Sequence, residues 1–98
     1  MLIAVTTGHG MLRARKRLGL SRRAAFRQVN RALNDGLRAD AFTGMLQQYL
    51  VDAEHHDAEK PTQARVYGEH IYIFDGTTLI TVLNVPCEHR GELHRVMV

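Results

Sequence analysis

Cys87 is the single cysteine of the chain, so no internal disulfide can form. Apolar stretches reach five residues at most, far short of the roughly eighteen that span a bilayer. The amino terminus has no charged region leading into an apolar run with a cleavage site, the mark of a secretory leader. No phosphate-cradling glycine-rich loop, catalytic-triad motif or zinc-hydrolase motif is present, and there are no repeats or low-complexity linkers. The expectation is a soluble cytoplasmic protein without a cofactor and with no membrane partner. Ninety-eight residues, 45% of them hydrophobic, suit one domain spanning residues 1–98 with one modest core.

Acidic residues are scarce in the first part of the chain. Residues 1–38 hold nine Arg or Lys against Asp35 alone, a formal charge of +8, whereas the remaining sixty residues carry −5. This polarity points the first half toward nucleic acid or an acidic protein surface. A set of solvated helix faces is the plain alternative.

The pattern divides into a helical part, residues 6–54, a β-meander, residues 63–86, and a tail, residues 87–98, that gives no clear structural signal. After an extended start at Leu2 to Val5, Thr6 or Thr7 can cap a first helix that Gly19 ends, with Gly8 and Gly10 weakening its first turn. Ser21 caps a second helix, closed by Gly36, in which Ala25, Phe26, Val29, Ala32 and Leu33 share an arc of about 120°. Asp40 looks like the cap of a third, with Phe42, Met45, Leu46, Tyr49, Leu50 and Ala53 at helical spacing. The polar segment from Glu54 to Gln63 then reads as a loop.

Beyond it the period becomes two. Gly68-Glu69 and Asp75-Gly76 suit two-residue hairpin turns, the second of type I′. The implied register sets Tyr67 opposite His70, Arg65 opposite Tyr72, Phe74 opposite Thr77, Tyr72 opposite Leu79 and His70 opposite Thr81. One face then carries Ala64, Val66, Ile71, Ile73, Ile80 and Val82 and packs on the helices. The other carries Arg65, Tyr67, His70, Tyr72, Phe74, Thr77, Leu79 and Thr81, and reads as a wet face or a binding surface. The expected fold is α+β, two to three N-terminal helices packed on one face of a three- to four-stranded antiparallel sheet.

His9, Arg13 and Arg17 fall at i, i+4, i+8 along the first helix, within about 80° of its circumference. Met11, Ala14 and Leu18 lie on the far side, and Lys16 flanks the cationic stripe. Arg23, Arg27 and Arg31 repeat the device on the second helix. Like charges so spaced cost about a few tenths of a kcal/mol per pair, and an anionic ligand would offset that repulsion.

The order Thr6, His9, Arg13, Arg17, Gly19, Ser21, followed by an amphipathic helix and a meander ending at Leu79 to Pro86, resembles the RelE/barnase-like (BECR) ribonuclease-toxin superfamily. It is also similar to small uncharacterised proteins of bacteria and phages within its reach. The resemblance covers about residues 5 to 37 and 63 to 86. It implies RNA bound across the sheet and the first helix, and metal-independent cleavage through a 2′-hydroxyl nucleophile. His9 and Arg17 correspond to the helix pair, and Thr81 to the polar residue of the last strand. Register adds His70 and Tyr72, so the candidate catalytic set is His9, Arg13, Arg17, His70, Tyr72 and Thr81. Such a transfer needs a base, an acid and fixed positive charge at the phosphate. Lys16, Arg23, Arg27, Arg31, Arg65 and Tyr67 are the candidate nucleic-acid contacts, with Tyr67, Tyr72 or Phe74 stacking an unpaired base.

The third helix is an insertion relative to the compact toxins, and Glu69, in a turn, is not placed as barnase-type catalysis requires. The first reading is therefore a RelE-like endoribonuclease, a toxin or phage-carried relative, with RNA preferred to DNA and an antitoxin as a possible partner. The alternative is a non-enzymatic phage or mobile-element protein, such as an inhibitor of a host defence complex, that grips nucleic acid or an acidic protein. Two weaker constellations remain. Cys87, His89 and His94 could join His55, His56 or Asp57 around zinc, without any standard finger spacing. The first two helices also resemble a helix-turn-helix, with Arg23 and Arg27 toward the major groove and the meander as a wing.

Overall fold

The computed structural model describes residues 1–55 and 62–97. The fold is α+β. In chain order it comprises β1 (Val5–Thr6), α1 (Gly8–Leu18), α2 (Arg22–Asp35), α3 (Gly44–Glu54), β2 (Gln63–Tyr67), β3 (His70–Asp75), β4 (Thr78–Asn84) and α4 (Arg90–Met97). Short 3-10 turns at Ala39–Ala41 and Cys87–His89 precede α3 and α4. The sheet order is β1-β4-β3-β2. β2, β3 and β4 form the antiparallel meander, whereas β1 runs parallel to β4, so the sheet is mixed and not purely antiparallel.

The first two helices follow their expected caps. The Thr7 hydroxyl accepts the Gly10 amide at 3.0 Å, and the Ser21 hydroxyl accepts that of Ala24 at 3.3 Å, each filling a donor left open by the first turn. Two asparagines of α2 hold the chain start: Asn30 Oδ1 accepts the Ala4 amide at 2.7 Å, and Asn34 both accepts from and donates to Leu2 at 2.8 Å.

Helices pack on both faces of the sheet, which corrects the expectation of one dry face and one wet or binding face. α1 and α2 bring Ala14, Val29, Ala32 and Leu33 against Tyr72, Phe74, Leu79 and Val82. On the opposite face Phe42, Leu46 and Leu50, with Leu93 of α4, pack against Ala64, Val66, Ile71 and Ile73. β3 is buried on both sides because Ile71, Tyr72, Ile73 and Phe74 form a continuous apolar run, the pattern of a central strand.

Two parts of the chain differ from expectation, the start of α3 and the tail. Asp40 lies inside a 3-10 turn, and α3 begins at Gly44, where the Leu46 amide donates to Glu92 Oε2 of α4 at 3.0 Å in place of a local cap. Phe42 is therefore a buried anchor ahead of the helix and Met45 faces out. The tail folds as α4, which completes the second core through Leu93.

The register is as expected between β2 and β3, with Tyr67 opposite His70 and Arg65 opposite Tyr72. Between β3 and β4 it is not. Asp75 lies opposite Thr78, so the turn residues are Gly76 and Thr77, and Gly76 at φ +60° supplies the left-handed first turn position. Phe74 then meets Leu79, and a bulge at Ile80 sets Ile73 opposite Thr81, Tyr72 opposite Val82 and His70 opposite Asn84. This shift turns Val82 toward α1 and α2, and Thr81 to the face shared with Ile73.

Candidate functional site

α1 is two-sided. Met11 and Ala14 are buried and Leu18 is half-buried, whereas His9, Arg13, Lys16 and Arg17 are exposed. Gly10 brings this helix close to β4: a Cβ there would sit 2.6 Å from the Leu79 carbonyl oxygen, inside any tolerable contact. The cationic side consequently borders the last strand. Arg13 Nη1 donates to the Ile80 carbonyl at 3.4 Å.

Between them lies a cleft of about 360 Å³ lined by Arg13, Lys16 and Arg17 on one wall and Thr81 and Val82 on the other. Three cations converge on a small volume, and none of them takes part in an ion pair among the described residues. Such an arrangement suits a phosphate or carboxylate oxygen, because guanidinium groups bind these with paired charge-assisted hydrogen bonds. His70, half-buried, lies opposite Asn84 at the far end of β4. Burial chiefly holds its imidazole below the ordinary histidine range; the Glu69 carboxylate pulls upward, and Arg17 and Arg90 push down. The Arg17 charge thus acts on His70, which ties the end of α1 to β3.

Of the candidate residues, Arg13, Lys16, Arg17 and Thr81 come together. His9 is exposed one turn before Arg13 on the same side of α1. Tyr72 does not belong to the site. It is 1% exposed in the core under α1 and α2, and burial, aided by Tyr67, pushes its hydroxyl up to about 12. Phe74, also 1% exposed, cannot stack a base. Tyr67 is half-buried against the same core.

The remaining cations lie elsewhere. Arg65 is on β2, the strand at the other end of the sheet order, and donates to Gln63 Oε1 at 3.3 Å; burial and then the neighbouring Arg38 charge lower its pKa. Arg23, Arg27 and Arg31 are exposed along α2, and Arg23 lines a separate pocket with Thr6, Met11, Arg22 and Phe26. The α1–α2 hairpin packs on the meander, which forms its floor and not a projecting wing.

The zinc constellation is dispersed. His89 packs on the Tyr49 ring at 5.6 Å, His94 faces Glu69 at 3.4 Å, and His55 bonds the Val51 carbonyl. His56 and Asp57 lie outside the described residues, among which no three His, Cys, Asp or Glu side chains are grouped to hold a metal ion.

Sequence reasoning missed a second concavity. Among the described residues α3 does not cover β4 on its own face of the sheet, and a groove of about 600 Å³ runs there past Tyr49, Ala53, Ile73, Ile80 and Leu83, with Asp52, Thr62 and Thr81 as its polar lining. Thr81 lines both the groove and the cationic cleft. The signal available was the run Ile80 to Leu83, apolar except for Thr81 and too long for a strand wet on one face.

No helix among the described residues is long and apolar enough to cross a membrane. Comparison with protein-family models, curated proteins and solved structures finds no match to this chain.

Proposed function

We propose that the chain binds RNA along the cleft between α1 and β4 and cleaves it without metal, by attack of a 2′-hydroxyl on the adjacent phosphate. The observation that supports this reading is the meeting of Thr81 with Arg13, Lys16 and Arg17 in one cleft. Three fixed charges match the negative charge that develops on the phosphate oxygens. His9 and His70 are the proton carriers of this scheme, one beyond each end of the Arg13 to Arg17 row. His70, held neutral near pH 7, is suited to accept the 2′-hydroxyl proton. Thr81 orients the phosphate by a hydrogen bond.

The test is purified protein on single-stranded RNA, alone and with ribosomes, in the presence of a chelator. The expected product ends in a 2′,3′-cyclic phosphate, and a 2′-deoxy substitution at the scissile position blocks its formation. His70→Ala and His9→Ala each slow cleavage by about a hundredfold or more, and Thr81→Val does so without weakening RNA binding to the same degree. Intact RNA under all of these conditions refutes catalysis.

Burial of Tyr72 and Phe74 favours a second reading, binding without cleavage, because it removes one candidate catalytic group and the stacking platform together. Under it RNA is retained by the Arg13, Lys16 and Arg17 cleft and stays intact, and the histidine substitutions change nothing.

A further inference from the structure

α2 carries a row of cations that the cleft does not use. Arg23, Arg27 and Arg31 stand at successive turns of a helix whose buried positions are Ala25, Val29, Ala32 and Leu33. At about 100° per residue the row centres about 175° from that buried side, so it points away from the core over a length of about 12 Å. All three residues are exposed. No acidic residue precedes Asp35 in the chain, and Asp35, one turn beyond Arg31, makes no ion pair with it. Among the described residues the arginine side chains that donate hydrogen bonds are those of Arg13, Arg38, Arg65 and Arg95, and none of this row is among them. The helix beneath is pinned: Ser21 caps its start, and Asn30 and Asn34, beside the arginines, hold Ala4 and Leu2. The spacing of the charges is therefore set although the side chains are free.

The surroundings of the row select its partner. A protein interface centres on buried apolar or aromatic anchors, and Asn30, Asn34 and Asp35 beside the row offer none. The large apolar residue nearest in sequence, Phe26, lines a hollow with Thr6 and Met11. A single nucleic-acid strand is held in a groove by rings that stack its bases, whereas this face is the convex side of a helix, and Tyr67, Tyr72 and Phe74 belong to the core or pack against it. A double helix presents its phosphates as a regular outer row, recognised by shape and charge without stacking, and guanidinium groups pair with phosphate oxygens in bidentate fashion. We infer that Arg23, Arg27 and Arg31 hold the phosphate backbone of an RNA stem joined to the unpaired segment that enters the cleft. The choice of RNA rests on the reading of the cleft given above. The two sites then divide one ligand, unpaired between α1 and β4 and paired on α2, and the substrate class is folded RNA with a stem beside a single-stranded stretch.

The test is binding of the full chain to three RNAs, an unpaired strand, a blunt stem and the stem joined to the strand, each measured against salt concentration. Arg23→Gln, Arg27→Gln and Arg31→Gln are combined in one variant, and Arg13→Gln and Arg17→Gln in another; glutamine keeps helix propensity, and circular dichroism verifies both folds. The α2 variant is expected to lose at least about tenfold in affinity for the stem and the joined RNA, with the slope of log K against log salt reduced by about 2–3, and to bind the unpaired strand unchanged. The cleft variant should lose the unpaired strand and keep the stem, so a failure of the cleft reading appears in the strand and a failure of this inference in the stem. Unchanged binding of the stem by the α2 variant would overturn the inference, as would an equal loss for all three RNAs, which would reduce the row to a distant charge. Polyglutamate of matched charge that displaces the stem as well as free stem does would assign the row to an acidic protein, and a DNA duplex of the same sequence that binds more tightly would assign it to DNA; either result overturns the inference.

Discussion

Gly10→Ala tests whether the close approach of α1 to β4 creates the cleft. On helix propensity alone the substitution should stabilise, because alanine is favoured over glycine by about 1 kcal/mol inside a helix. The structure reverses the sign. The new Cβ would stand 2.6 Å from the Leu79 carbonyl oxygen and 3.3 Å from Thr7 Oγ1, the hydroxyl that caps α1. Carbon and oxygen ordinarily approach no closer than about 3.3 Å, so α1 must retreat by roughly 0.7 Å. A gap of that size forfeits about a quarter to a half of each dispersion contact it opens, here those of Met11 and Ala14, which are 5% and 0% exposed. Overpacking of this kind costs about 1–3 kcal/mol. The atom met is a backbone oxygen that cannot swing aside, so the upper part of that range applies, about 2–3 kcal/mol; with the propensity gain of about 1 kcal/mol subtracted, the net loss is about 1–2 kcal/mol, or a fall in Tm of about 4–16 °C. Gly8→Ala is the control, since a Cβ there meets nothing within 4 Å; it should leave Tm unchanged or raise it slightly. Thermal and urea unfolding monitored by circular dichroism measure both variants. A Gly10→Ala protein that melts at or above the unsubstituted chain would refute the reasoning, and with it the view that β4 and α1 are held at glycine distance.

Three other expectations follow from the same geometry. If the three cleft cations each neutralise one phosphate of single-stranded RNA, log K should fall against log salt with a slope of about −2, and each alanine substitution at Arg13, Lys16 or Arg17 should reduce it by about 0.7; substitutions at Arg23, Arg27 and Arg31 should leave it alone, and the reverse pattern would move the interface to α2. His70 should titrate below 6.5 by NMR, with Arg17→Ala moving it upward and Glu69→Gln downward. Because its folded value is the lower one, the unfolded chain binds the proton first, so this contribution to stability is complete above about pH 6.5 and declines as pH falls from there toward the folded value; a titration at or above 6.5 would contradict the burial on which this rests. Glu92→Ala leaves the Leu46 amide without its acceptor and should destabilise by about 1 kcal/mol, with amide exchange rising first in the opening turn of α3.

The helical part was legible because its signals are local. Thr7, Ser21 and Gly19 act within one turn of where they stand, and the inward positions Met11, Ala14, Val29 and Leu33 recur at the helical period. The sheet was legible only up to β3. Asp75-Gly76 marks a turn but not which two residues occupy it; moving the turn by one residue slides the pairing by two, so Leu79 meets Phe74 and not Tyr72 while keeping its face. The bulge at Ile80 then exchanges the faces of Thr81 and Val82, and nothing in the local sequence announces it. The start of α3 was hidden for another reason: its cap comes from Glu92, some forty-six positions away in the chain.

The candidate site was half legible on the same grounds. The row His9, Arg13, Arg17 needs only a helix to exist, whereas its partner on the sheet depends on the β4 register. Thr81 was reached only through the family resemblance and is found beside the cations; His70 was reached through its expected pairing with Thr81 and instead faces Asn84.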